Sequence, residues 1–408
     1  MTMPSVSADD ILTLDARVRR HPADRYPVQH ATAQFHLGAA LAEVERLDEA
    51  EEALRVSAEG FSEAGLTAEA AKAANQLGAV LRLAGRPEDA LPILQAAAEA
   101  FAAAAHPAEE GAAWFNLGLA RRDCDDPGAH QAFEVAWRRL EGARLLEPAS
   151  HAAREAGAES WGVDADRATR ELDEAVELAR RAGATAAEGA AANVLGLVHL
   201  GERRLPAARA ALTDAAAAHP RGIRPADHAM AQANLALVHE QADEVVRARW
   251  AARHALGIDD VAAPVRDQAR EVLARLGNPP GDLCRLLDEE PEDAWPPLVR
   301  VELIRLTGAS PRERRAEADA WVAHQLAHPE QGEELAAVWL GALLELEPEA
   351  VDDLVADLLH AVQSRPPDAA DRLRAQFERG MARFHVPQMM RLSETFARTD
   401  RGDEPATG

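Results

Sequence analysis

The sequence predicts an all-α chain of helical hairpins stacked into a solenoid, and three observations carry that expectation. Alanine dominates the apolar set, whereas aromatic residues make up only 4% of the 408 positions and Tyr26 is the sole tyrosine. That balance suits closely packed helices and not sheet. A Leu-Gly pair recurs inside amphipathic stretches at Leu37-Gly38, Leu77-Gly78, Leu117-Gly118 and Leu195-Gly196, with Leu235-Ala236 as a weakened copy. A second ladder of Ala50, Ala90, Ala168, Ala208 and Ala248 follows twelve residues behind, on the same period with gaps of 40, 78, 40 and 40. The glycines at 38, 78 and 118 are 40 apart, and the gap of 78 to Gly196 is two steps of about 39. A degenerate copy is therefore expected near Ala156-Gly157.

Taken in order, residues 1–30 form a lead-in with one short helix, roughly Ala8 to Arg19. Repeats follow over 31–276. In the copy from Ala71 to Phe101 the first helix carries the stripe Ala74, Leu77, Gly78 and Leu81, at the spacing of one helix face. Gly85-Arg86-Pro87 breaks it, and proline followed by Glu88 and Asp89 opens a second helix. Ala90, Leu94 and Ala97 form the second stripe, ahead of Phe101. The copies from Ala31 and Gly189 repeat the scheme, with Gly201 and Pro206 marking one break. In the third copy the second helix is one residue short, placing Ala129 and Phe133 where the ladder expects 130 and 134. Glycine inside a helix costs roughly 1 kcal/mol relative to alanine, so its recurrence calls for a packing reason, namely close approach of two helices. Gly277-Asn278-Pro279-Pro280-Gly281 is the strongest breaker and the expected boundary. Beyond it, hairpins are expected at 297–307 with 311–328, 333–346 with 348–364 and 368–384 with 387–398. They make up a C-terminal helical region over 282–400. The tail 401–408 is expected to be disordered.

This pattern resembles the tetratricopeptide repeat (TPR) family. Trp114, Leu117 and Gly118 match the first half of its motif; Ala90, Leu94 and Ala97, and again Ala208, Leu212 and Ala215, match the second. The resemblance covers about residues 31–256. The family's usual step is about 34 residues, so a step near 40 departs from it and implies longer helices. The resemblance implies a right-handed α-solenoid whose first helices line a concave groove, with positions two, five, nine and twelve of each first helix facing it. Those positions give Lys72 and Met230, then Phe35, Asn75, Phe115 and Asn193, then Arg82 and Arg122. Lys72, Asn75, Arg82 and Arg122 are expected to anchor an acidic side chain or a C-terminal carboxylate, with Phe35 and Phe115 supplying apolar contact. Alternatively, these cations neutralise acidic neighbours and hold hairpins together. The family's carboxylate clamp wants lysine at position five and asparagine at nine; Asn75 and Ala79 stand there, so that clamp is not implied.

Charge narrows the partner class. Forty-four basic against 69 acidic residues leave a formal charge of −25. Phosphate backbones and anionic lipid would repel such a chain, so neither nucleic acid nor a membrane surface is the expected partner. No run approaches eighteen uncharged apolar residues, and the start of the chain has no signal-peptide pattern. Cys124 and Cys284 form no metal or redox spacing, which fits a reducing compartment and a cytoplasmic protein.

Catalysis has no support in the motifs. Neither common phosphate loop, no Gly-x-Ser-x-Gly elbow and no His-Glu-x-x-His occurs, and no cofactor is expected. Cys124 lies among Arg121, Arg122, Asp123, Asp125 and Asp126, whose charges offset. His199 and His239 occupy matching repeat positions and read as packing residues. His324 and His328, followed by Glu333 and Glu334, read as polar residues near a helix end and not as metal ligands. Carboxylate pairs such as Glu289-Glu290 and Asp352-Asp353 read as solvated surface. The expectation is a non-enzymatic adaptor that binds a protein or peptide segment; the alternative is a ligand- or peptide-responsive regulator acting through a partner. Trp250 and the exposed solenoid ends are compatible with homo-oligomers.

Overall fold

The computed structural model describes residues 7–259 and 261–401. Among them, the regular elements are 21 α-helices and one short 3-10 turn, and there is no strand. None of these helices is long and apolar enough to cross a membrane. Arg401 closes the last helix; the rest of the expected disordered tail, from Gly402, lies outside the described residues, as does Met1–Val6. The chain divides after Ala218 into two compact units.

The first unit contains α1 (Ala8–Arg20), α2 (Pro27–Glu43), α3 (Leu47–Glu63), α4 (Thr67–Leu83), α5 (Pro87–Ala103) and α6 (Pro107–Asp123). It continues with α7 (Ala129–Gly142), α8 (Leu146–Ser160), α9 (Ala165–Ala182), α10 (Thr185–Gly201) and α11 (Leu205–Ala218). Each helix packs on the next, so α2/α3, α4/α5, α6/α7, α8/α9 and α10/α11 are hairpins set in series. Most turns end the preceding helix on a residue in the left-handed region, among them Glu45, Gly65, Gly85 and Arg203. Two reversed bonds close each of these turns: Gly85 N–H donates to Arg82 O at 3.0 Å and Arg86 N–H to Leu81 O at 2.9 Å.

The recurring glycine is the seat for a recurring leucine. A Cβ placed on Gly78 would lie 2.4 Å from Leu94 Cγ; Gly38 meets Leu54 at 2.6 Å, Gly157 meets Leu172 at 2.6 Å and Gly196 meets Leu212 at 2.5 Å. No side chain fits in such gaps. Leu54, Leu94, Leu172 and Leu212 are all fully buried, as are Ala50, Ala90, Ala168 and Ala208 beside them. In the third hairpin Gly118 receives the ring of Phe133 at 2.6 Å, so the shortened helix α7 fills the seat with a larger side chain.

The second unit contains α12 (Pro225–Gln241), α13 (Val245–Leu256), α14 (Ala263–Leu276), α15 (Asp282–Glu289) and α16 (Trp295–Thr307). Then follow α17 (Pro311–Ala327), α18 (Gly332–Leu343), α19 (Pro348–Gln363), α20 (Pro367–Met381) and α21 (Val386–Arg401). Here the weakened copy has Ala236 in place of glycine, and Ala252 stands sixteen residues on in place of leucine; both are fully buried. The methyl group on one helix thus coincides with a much shorter side chain on the other.

From α16 onward the packing changes. The closest backbone approaches join alternate helices, α16 to α18 to α20 and α17 to α19 to α21, instead of consecutive ones. Small residues mediate them: a Cβ on Gly380 of α20 would stand 3.1 Å from the Ala337 backbone nitrogen of α18. The core of this region is bulky, with Trp295, Leu303, Trp321, Leu335, Trp339, Leu358 and Phe377 in one cluster. Large side chains hold helices further apart than alanine and glycine do, which accounts for the looser contact between consecutive helices.

A buried ionic network supplements this core. Asp282 is fully buried and accepts from Arg249 Nη2 at 2.6 Å, Arg253 Nη2 at 2.6 Å and Arg285 Nη1 at 2.7 Å. Arg253 also donates to Pro279 O at 3.0 Å, and Gly281 N–H donates to Glu317 at 2.8 Å. The proline-glycine segment 277–281 is thus held at both ends. Trp250 is half-buried, its ring centroid 4.1 Å from that of His254.

The glycine seat makes a direct prediction. Gly78→Ala should lower stability by about 1–3 kcal/mol through overpacking, despite alanine's better helix propensity. Adding Leu94→Ala should give a double variant more stable than the sum of the two single losses, read from urea unfolding midpoints. Strict additivity would contradict the seat.

Candidate functional site

The first helices of the first unit bring most of the expected groove residues into one row, and ties between consecutive first helices decide what each can do. The Lys72 ammonium of α4 lies over the Phe35 ring of α2, 5.5 Å from its centroid. Asn75 Oδ1 of α4 accepts from Asn116 Nδ2 of α6 at 3.0 Å. Arg82 of α4 pairs with Asp123 at the end of α6 at 3.0 Å. Arg122 of α6 pairs with Glu155 of α8 at 2.5 Å, and its guanidinium sits 5.8 Å from the Phe133 centroid.

Two of the three cations are therefore already engaged. Burial alone would raise the Glu155 carboxyl, but hydrogen bonds from Arg154 and Arg122 outweigh it and hold the group below its ordinary value. Glu155 is thus a firm anion, shared between Arg122 and Arg154. Lys72 differs. It is exposed, and among the described residues no carboxylate forms an ion pair with it. A side chain held over an aromatic ring in this way remains open to a further anion.

The other expected residues are less available. Phe115 is half-buried with its ring 5.7 Å from Phe133, and Asn193 is buried within α10. Met230 is half-buried and belongs to the second unit. Sequence reasoning missed Asn116, Asp123 and Glu155. The signal was present, since Asn116 and Asp123 stand 41 residues beyond Asn75 and Arg82, one repeat step plus one.

No family model matches the chain, and no curated protein matches it. Solved structures do. BtubC (BKLC) from P. vanneervenii is similar at 14% identity and a TM-score of 0.42, covering 64% of this chain and 92% of that one. The P58(IPK) TPR domain matches at 14% identity and a TM-score of 0.27 over 91% of this chain and 97% of its own. Yeast Tom70 matches at 11% identity and a TM-score of 0.24 over 96% and 99%. Likenesses of this order leave function to be read from the chain's own residues.

The second unit holds the most perturbed groups, and they face one another. His254 Nε2–H donates to Glu302 at 2.9 Å, Arg305 donates to the same carboxylate at 2.7 Å, and Arg305 reaches Glu313 at 2.6 Å. Burial opposes the charge on Glu302, but Arg305 and His254 overcome it and hold the carboxyl far below the usual range. Burial presses His254 down, against the pull of Glu302. Burial raises Glu317, and the neighbouring Glu302 adds to that. These groups satisfy each other inside the core, the arrangement of a structural network.

The network has a pH signature. Unfolded His254 takes a proton below about pH 6.5, whereas the folded imidazole resists it. Its contribution to stability is present above that pH and is lost as pH falls toward the lowered folded value. Glu317, raised when folded, works in the opposite sense. Thermal melts of the wild type and His254→Gln between pH 7 and 5 isolate the histidine: the variant should lose less stability on acidification. Parallel slopes would contradict the assignment.

Proposed function

We propose that the protein is a non-catalytic scaffold that binds a protein or peptide segment in a concave groove lined by the first helices of its first unit. The single observation that carries this reading is Lys72. In a chain of net charge −25 with one lysine, that lysine stands exposed on Phe35 with no ion-paired carboxylate among the described residues, while its neighbours Arg82 and Arg122 each pair with one. A segment offering an acidic group to Lys72 and an apolar side chain to Phe35 and Phe115 meets the chemistry of that row. Asn75 and Asn116, one turn further along, supply amide groups for the segment's backbone. An interface of ordinary size, about 800 Å² per partner, would span several first helices.

A non-catalytic role is supported by the thiols. Burial, then Glu88 and Asp123, raise Cys124, and burial drives Cys284 far up, so neither is an activated nucleophile. Both cysteines are free, which suits a reducing compartment, and the cytoplasm is the setting this reading assigns.

Charge reversal at Arg82 or Arg122 would set acid against Asp123 or Glu155 and disturb the hairpins, so Lys72 is the cleaner probe. Peptides selected from a random displayed library on the full chain should be enriched in Asp or Glu beside an aliphatic or aromatic residue. Lys72→Glu should weaken the best of them at least about tenfold by fluorescence anisotropy, roughly 1.4 kcal/mol, with Lys72→Arg retaining most of the affinity. Equal affinity in wild type and Lys72→Glu would remove this row from consideration.

A further inference from the structure

We propose that Asp288, His324 and His328 form a binding site for a divalent transition metal of the zinc class in the second unit. His324 occupies the last turn of α17, His328 is the residue that caps it, and Asp288 comes from the last turn of α15. The two imidazoles lie side by side with centroids 4.3 Å apart. His328 Nε2 stands 3.5 Å and His324 Nε2 3.8 Å from the same oxygen, Asp288 Oδ1. One ligand atom from each of the three residues falls within 4.8 Å of the others.

These separations are informative because they are too long for good hydrogen bonds, which run to about 3.2 Å. Three polar atoms converge at ion-pair distance and not at hydrogen-bond distance. Ligands at about 2.0–2.1 Å around a tetrahedral zinc ion stand roughly 3.4 Å apart, so both histidine–carboxylate edges are within about half an ångström of that requirement. Side-chain rotation has to close the remainder, including the histidine–histidine edge, which lies within 4.8 Å.

The orientation of His328 is set by its other nitrogen. Nδ1 lies 3.1 Å from the His324 carbonyl oxygen, an acceptor, so Nδ1 donates there and Nε2 is the ring atom left facing Asp288. A backbone carbonyl fixing the tautomer of a ligand is the usual outer support of a metal site. His324 is only 9% exposed at its side chain, so packing holds its ring. Two nitrogens and one oxygen favour zinc and its transition-metal neighbours over magnesium or calcium, which prefer oxygen alone. Three protein ligands leave one tetrahedral position for water, and the bound ion would tie the end of α15 to the end of α17.

The test uses the untagged full chain, stripped with chelator and titrated with zinc chloride by calorimetry. Wild type should bind one equivalent that magnesium does not displace, and its melting temperature should rise. His324→Ala, His328→Ala and Asp288→Asn should each weaken that binding at least about tenfold and lose the thermal shift, while circular dichroism confirms the helices are intact. Asp288 is about half exposed, so its variant remains informative if a histidine variant misfolds. Cobalt substituted at the site should give the intense visible bands of tetrahedral coordination, absent in Asp288→Asn. No zinc uptake by wild type, or uptake unchanged in folded variants, overturns the proposal.

Discussion

The first unit depends on a contact between a residue with no side chain and one that fills the space it leaves. Gly38, Gly78, Gly157 and Gly196 each admit a leucine from the following helix, and Gly118 admits Phe133. The arrangement accounts for three features at once. Glycine persists inside helices where it weakens local propensity; alanine dominates the interface on either side; and paired helices lie close enough that almost any added atom collides. Dispersion contacts of this density are individually small, yet they recur in every hairpin.

The second unit relaxes that constraint and then abandons it. At Ala236 and Ala252 two methyl groups stand where the other copies have glycine and leucine, and both positions stay buried. From α16 onward bulky aromatic and leucine side chains fill the core, with small residues left to alternate helices. The buried ions around Asp282 and Glu302 belong to this second style of construction. They are paired, so the charge is tolerated, and they fix where α13, α15, α16 and α17 meet.

Helix content and the partners in the first unit were legible because glycine, alanine and leucine recur with fixed offsets, and each offset has a steric meaning. A degenerate copy was expected near Ala156-Gly157, and Gly157 does receive Leu172. What escaped the sequence depends on contacts between repeats. Arg82 and Arg122, on successive first helices, read either as an anchor for an acidic group or as cations that neutralise acidic neighbours; which acids they meet, Asp123 and Glu155 of the next first helices, was not legible. The buried pairs of the second unit were hidden for a related reason. Arg249 and Asp282, or His254 and Glu302, are 33 and 48 residues apart, with no ladder to link them. Asp288 likewise comes from a different helix than the two histidines it faces, so a local spacing of four suggested only surface polarity.

Lys72 stands out against this background because almost every other cation of the row has an assigned task. The account therefore rests on rigid hairpins that hold such a residue in place, and amide hydrogen exchange tests that rigidity most directly. In the wild-type chain, α4 and α5 should open together, with a shared opening free energy. Filling the seat with Gly78→Ala should lower protection equally in both helices and leave α10 and α11 unchanged. Loosening of α5 alone, or an even loss across the whole first unit, would contradict the claim that glycine and leucine lock each hairpin.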